Sequence, residues 1–458
     1  MRSAAITFAV VMAILPGVQR ARAEVRCPSV APPSISFGKP VYIDKSRPGG
    51  EPASQVAQDG SIIVAGHAST TLLYKSPDAL PGLVDWASQY ANQSYVWRSS
   101  DHGRTWKRID TIEGLGAHTK TSTGFSDPDF AMDEAGTIYG TEIDLANVSV
   151  YWSTDDGRSF PGGNPIAGSG DRPWLGALGP GEVFLVINAP EQLLRSTDGG
   201  MTFVQVPTNF VPDNHLWRDP LKPHDGLIGP DGGGTAISAD HGLTWKRYPL
   251  SLQPNEGFSV NAVDRVGWIY TASAGGYEGA EDHDPNGLVQ YSYFNRRSGK
   301  WAKPMKVPVP EGDVLWPWMA AGDDGRVVVV WLQTLAKDPS SFYVYAAYTT
   351  NGHGSLVRCS DGSRRLRPPV FRVVNVSGRP VHVGNICLLG TACNADPSND
   401  RRLGDYFTVN IDNEGRIFVA VSDTRLKTAA GQPKPVANPL FIRQSGGTPA
   451  YRRPIPPK

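Results

Sequence analysis

The sequence predicts an all-β protein: a β-propeller of seven four-stranded blades, with six as the alternative count. Three observations lead there. An eight-residue stretch recurs at a spacing that fits one blade. A second, hairpin-like pattern recurs seven times. The composition suits turn-rich strands, with 50 Gly, 39 Pro and 12 Trp in 458 residues and only 19% charged residues.

The octapeptide is Ser99-Ser100-Asp101-His102-Gly103-Arg104-Thr105-Trp106. Its copies begin at Ser153, Ser196 and Ser238, which are 54, 43 and 42 residues apart along the series. A blade of four antiparallel strands takes roughly 40–50 residues. Each copy reads Ser-x-Asp-x-Gly-x-Ser/Thr-aromatic, with Asp101, Asp155, Asp198 and Asp240 at its third position. An Asp carboxylate accepts nearby backbone N–H groups, and Gly supplies the positive φ of a tight turn. These aspartates are therefore expected to brace turns, not to do chemistry.

The second pattern is a turn-entry residue, a strand, an Asp/Gly turn and an apolar strand. It opens at Glu51-Pro52, Asp127-Pro128, Asp171-Arg172-Pro173, Trp217-Arg218-Asp219-Pro220, Phe258, Trp316-Pro317-Trp318 and Gly404-Asp405-Tyr406. Each hairpin reads as the inner half of a blade. Blades five to seven lack a good octapeptide, and Tyr291–Trp301 reads as a decayed one. The strands Ile35–Phe37 and Val41–Ile43 have no blade of their own. They are expected to close the ring beside Leu440–Ile442, since an open ring would expose two sheet edges.

Residues 1–23 read as a secretory leader, with Arg2, an apolar run from Ala4 to Ile14 and Ala21-Arg22-Ala23 before the cut. The expected organisation is leader 1–23, tail 24–34, propeller 35–443 and a loosely held tail 444–458. The expected location is secreted or periplasmic. Beyond the leader the chain has 41 basic against 44 acidic residues, which favours neither nucleic acid nor an anionic membrane. No later apolar run has membrane-spanning length, and a monomer is expected.

Cys27, Cys359, Cys387 and Cys393 are even in number, which in an exported chain favours disulfides. Three pairings are open. The preferred one closes a small ring at Cys387–Cys393 and ties the N-terminal tail to a late blade through Cys27–Cys359. No zinc-type spacing occurs, so neither a metal nor another cofactor is assigned. Structural calcium is an option for two acidic loops, one at Glu278, Glu281, Asp282, Asp284 and Asn286, the other at Asn394, Asp396, Asn399 and Asp400. A short helix is expected within 79–90.

The octapeptides resemble the Asp-box, or bacterial neuraminidase repeat, of the sialidase superfamily. The likeness is direct over about 98–245. It implies that the four turns face away from the functional face, which collects the openings of the inner hairpins. Glu51, Asp127, Asp129, Asp171, Arg172, Trp217, Arg218, Asp219, Glu256, Trp316, Arg401, Arg402, Asp405 and Tyr406 are the candidates there.

The family uses three arginines for a substrate carboxylate, a Tyr nucleophile and an acid. The resemblance thus offers Arg172, Arg218 and Arg402 as the clamp, Tyr406 as nucleophile, and Glu51 or Asp127 as acid. Trp217, Trp316 and Asp405 would complete substrate binding. The family's Phe-Arg-Ile-Pro signature is absent, and Asp171-Arg172-Pro173-Trp174 is its nearest analogue. The expectation is a secreted, sialidase-like propeller acting on or binding an extracellular glycan. The alternative is a non-catalytic ligand-binding or scaffold propeller.

Overall fold

A computed structural model describes residues 25–67, 94–109, 126–144, 147–252, 260–277, 283–395, 400–427, 429, 431 and 436–457. Seven antiparallel sheets follow one another around a ring, each with four strands along its path. Blade 1 runs through Gly50–Val56, Ile62–His67, Tyr95–Ser99 and Lys107–Ile109. Blades 2 to 6 open with the innermost strands Ser126–Met132, Asp171–Ala177, Trp217–Arg218, Val260–Val263 and Val314–Ala321. Blade 7 has Thr408–Ile411, Ile417–Asp423 and Asn438–Gly447 inside, and Ile35–Phe37 outside.

The N-terminal strands close the ring as the sequence predicts. Ile35 pairs with Gly447, and Val41 and Tyr42 pair with Phe441 and Leu440. Alternating strands fill the space between blades with apolar side chains. Trp97, Trp174 and Trp331 are each no more than 1% exposed.

The octapeptides mark one face of the ring. Ser99, Ser153, Ser196 and Ser238 each pair with the first residue of the second strand of their blade. The turns therefore lie beside the loop joining strands one and two. In each copy the Ser hydroxyl donates to the Asp Oδ1 at 2.7–2.8 Å. The same hydroxyl accepts the Gly N–H at 2.9 Å. The closing Ser or Thr hydroxyl donates to Oδ2 at 2.6–2.7 Å. Gly103 has φ 84°, and a Cβ there would lie 2.0 Å from the Phe441 ring, so the turn also docks blade 1 on blade 7.

Blade 6 has a related turn that the sequence reading missed. Thr349 pairs with Val327, the first residue of its second strand, and its hydroxyl donates to Asn351 Oδ1 at 2.9 Å. Asn replaces Asp, and no aromatic follows. The chain instead leaves as the hairpin Ser355–Arg358 with Arg364–Arg367 before returning as Arg372–Asn375. Asn351 clamps the base of this excursion through Pro368 O and Val370 N.

Both preferred disulfides are present: Cys27–Cys359 fastens the tail to the excursion, and Cys387–Cys393 closes the small ring. One correction concerns residues 444–458. The last strand continues to Gly447, Ala450 is fully buried, and its backbone bonds Gly415 and Asp323. The segment is docked because it covers polar groups of blades 6 and 7 that would otherwise lack partners.

The expected leader, the helix within 79–90 and Glu256 lie outside the described residues. So do the side chains offered for calcium, Asp400 excepted. Among the described residues no helix is long and apolar enough to cross a membrane.

Candidate functional site

The opposite face collects the open ends of the inner hairpins. Four of the seven blades place a non-Gly residue at positive φ there, each followed by proline: Glu51 (47°), Asp127 (54°), Arg172 (58°) and Trp316 (53°). In blades 1, 2 and 6 the strand pairing slips at this point. A left-handed non-Gly residue costs on the order of 1–3 kcal/mol and persists where surrounding contacts enforce it, often at functional sites.

Glu51 is the hub. It is 1% exposed, and its Oε1 accepts Asp405 N at 2.7 Å while Oε2 accepts Asp127 N at 3.0 Å. Its carboxylate thus staples the starts of blades 1, 2 and 7. Gly404 makes room: at φ 77°, a Cβ there would lie 2.2 Å from Glu51 Cγ. His67, the last residue of the second strand in blade 1, pairs with Gly50 and places Nε2 3.0 Å from Glu51 Oε2.

The electrostatics favour a retained proton. Burial first, then the Asp405 charge, pushes Glu51 up to about 7. Burial, the Glu51 charge and a side-chain hydrogen bond with Glu51 hold Asp127 well above the usual carboxylate range. Two carboxyls in contact cannot both ionise away from water, so the pair keeps a proton at neutral pH. Burial pushes His67 down to about 4, so it stays neutral beside them. Arg401 grips Asp405 with two guanidinium nitrogens, which outweighs the opposing effect of burial and raises its own affinity for protons.

The remaining candidates separate. Arg402 is 7% exposed and bidentate on Asp400 through Nε at 3.0 Å and Nη2 at 2.6 Å. Tyr406 is 2% exposed and donates its hydroxyl to Pro128 O at 2.6 Å. Burial, then the Glu51 and Asp127 charges, raises its pKa, which opposes formation of a phenolate. Tyr406 also stacks on Trp318 and meets Trp174 at a tilt, at 5.4 Å centroid separation for each. Trp316 is 4% exposed and belongs to the core, where it offers no ring face to a sugar. Arg172 and Asp171 are exposed at the start of blade 3.

Blade 4 requires a correction. Arg218 pairs with Leu227, the first residue of its second strand, so Trp217, Arg218 and Asp219 stand near the turn and not at the opening. Arg218 Nη2 donates to Met132 O, at the turn end of blade 2. Asp219 is fully buried and bidentate with Arg296 at 2.6 and 2.7 Å, joining blades 4 and 5. The Asp-Pro step at 219–220 imitates Asp127-Pro128, but its aspartate belongs with the turn residues Asp133, Asp264 and Asp412. Arg172, Arg218 and Arg402 therefore do not assemble into one clamp.

Two histidines escaped the sequence reading. His67 had one available signal: it ends the strand facing the Glu51 hairpin. His215 precedes the strand of blade 4 and puts Nδ1 2.8 Å from Asp129 Oδ2. His215 and Asp129 line an axial cavity of about 160 Å³ with Ser54, Gln55, Asn261, Trp318 and Asn410 among others; His67, Glu51, Asp127, Asp405 and Tyr406 do not line it.

No family model matches the chain. It is 27% identical over 137 residues to a xyloglucanase of a Paenibacillus species, covering 30% of this chain and 10% of that protein. It is 23% identical over 218 residues to the xyloglucanase Xgh74A of Acetivibrio thermocellus, covering 48% and 17%. The matches thus span less than a fifth of either relative. Among solved structures, YCF48 from Cyanidioschyzon merolae aligns at TM-score 0.45 with 12% identity, over 89% of this chain and 98% of that one. An ancestral GH74 enzyme aligns at 0.44 with 10% identity, over 87% and 47%. The chain of NanB aligns at 0.40 with 10% identity, over 91% and 71%.

Proposed function

We propose that this protein acts on a glycan at the open-end face of the propeller, with the Glu51–Asp127 pair as its acid. The observation that carries the proposal is that pair: two buried carboxyls on strained backbone, stapled by the Asp127 N–H to Glu51 Oε2 and both pushed above the usual carboxylate range. A glycosidic oxygen leaves as an alcohol only when it is protonated, so a carboxyl that keeps its proton at pH 7 suits the first step. Glu51 and Asp127 touch, so together they supply one acid, not the two separated carboxylates of a glycosidase. Asp171, exposed at the neighbouring opening, is assigned the second role, activating water or meeting the sugar carbon.

The stretches shared with two xyloglucanases favour a neutral polysaccharide. A sialoside would need guanidiniums for its carboxylate, but Arg401 and Arg402 are occupied by Asp405 and Asp400, and Arg218 is on the other face. The test is release of reducing ends from xyloglucan, arabinan and a sialylated glycoprotein. Turnover should fall about 10²–10⁴-fold in Glu51→Gln and Asp127→Asn with the fold retained. Wild-type protein that releases nothing, or turnover unchanged in both variants, would end the glycosidase reading. Release from the sialylated glycoprotein alone would restore the sialidase reading.

A further inference from the structure

The axial cavity contains a titratable pair that the carboxyl site does not use. Asp129 is 7% exposed and sits on the innermost strand of blade 2. Its Oδ2 accepts Leu175 N and His215 Nδ1, both at 2.8 Å. A carboxylate oxygen only accepts here, so Nδ1 carries the hydrogen. In the neutral ring this leaves Nε2 with its lone pair. Two contacts hold the imidazole in place. His215 N donates to Asn214 Oδ1 at 2.6 Å, and the ring meets Trp217 edge-on at 4.9 Å between centroids. Asp129 Oδ1 and His215 Nε2 have no hydrogen-bond partner among the described residues, and both residues line the cavity.

We propose that this cavity is a binding site for a small organic cation, an alkylamine or alkylammonium, held by Asp129 and His215 against aromatic walls. The charge count favours a cation: the lining residues include one carboxylate and no Lys or Arg. The two open atoms are acceptors, so the ligand must donate. The nearby amides are already donors elsewhere, Asn261 to Gly234 O and Asn410 to Ser54 O. Phe130, Trp217 and Trp318 supply ring surface for the alkyl part and for a cation–π contact. The space is several times the ~30 Å³ share of one water, enough for a few heavy atoms. The site is separate from Glu51 and does not depend on glycan turnover.

The experiment is a titration of the full chain, with ¹⁵N-labelled histidine, observed at the His215 ring. Propylammonium and methylammonium chloride are the probes; sodium chloride, calcium chloride and glucose are the controls. A saturable shift of the His215 nitrogens with an alkylammonium probe, weakened about tenfold to hundredfold in Asp129→Asn, supports the site. His215→Gln, read by Trp fluorescence, keeps the test available if the first variant misfolds; it should weaken binding in the same direction. No saturable shift, a shift with calcium or glucose alone, or wild-type affinity in both variants overturns the proposal.

Discussion

The two faces of the ring use the same side chain to opposite ends. On the turn face Asp198 is a spent acceptor: the Thr202 hydroxyl and amide and the Ser196 hydroxyl hold its pKa at about 2. On the open face Asp127 is buried against Glu51 and held well above the usual range. One aspartate gains charge stabilisation from donors built into its own octapeptide. The other faces a second acid assembled from another blade. Residue type does not decide the difference; the number of donors and access to water do.

Removing a charge partner from the open face should have a large effect on stability. Arg401→Ala leaves the half-buried Asp405 without its guanidinium, so unfolding in urea should show a loss of about 2–3 kcal/mol. The equivalent change at exposed Arg104 should be nearly silent. A loss below 1 kcal/mol at Arg401 would show that the open face tolerates an unpaired acid, and the contrast would fail.

Backbone room is the next contrast. Gly103→Ala and Gly404→Ala both place a Cβ at positive φ, 2.0 Å from Phe441 and 2.2 Å from Glu51 Cγ. Each should cost about 2–4 kcal/mol by thermal or chemical unfolding. Only the second should also reduce glycan turnover, because it displaces Glu51. Equal turnover in the two variants would detach Glu51 from the chemistry.

Titration separates the faces more finely. Glu51 is raised from 4.5 to about 7, so its favourable contribution is present below 4.5 and is lost as pH rises through 7. His67 is lowered from 6.5 to about 4, so its contribution is present above 6.5 and is lost as pH falls through 4. Between about pH 5 and 8 the wild type should lose about 1–3 kcal/mol relative to Glu51→Gln, measured by urea midpoints across pH. Parallel curves would place the proton elsewhere. The smallest expected effect is on the turn face: Ser196→Ala removes the acceptor for Gly200 N and should cost about 1 kcal/mol in the same assay.

The ring was legible because its signals are local. A turn that braces itself within eight residues must carry Ser, Asp and Gly at fixed spacing, and an inner hairpin must show its two apolar strands. The blade 6 turn was missed because Asn351 does the work of Asp with no aromatic after it. The site was half legible. Glu51 and Asp127 were found from their place at hairpin openings. Their raised proton affinity was not, because it arises from contact between residues 76 apart in the chain. Tyr406 and Trp316 read as reactive or exposed only until their burial was known, and burial is set by the whole ring. Asp219 was misplaced because an Asp-Pro step occurs at either end of a strand.

Ring closure also orders events in time. Ser36 and Ser445, on strands that pair, are 409 residues apart, so the final blade needs both extremes of the chain. A chain emerging from its N-terminus holds the strands at Ile35 and Val41 unpaired until Asn438–Gly447 has been delivered. Until then the apolar face of blade 1 that packs on blade 7, with Ile62, Val64 and Trp97, stays uncovered, and another chain can pack there. A truncation before Asn438 would therefore leave a ring unable to shut, with the outer strands at Ile35 and Val41 having nothing to pair with.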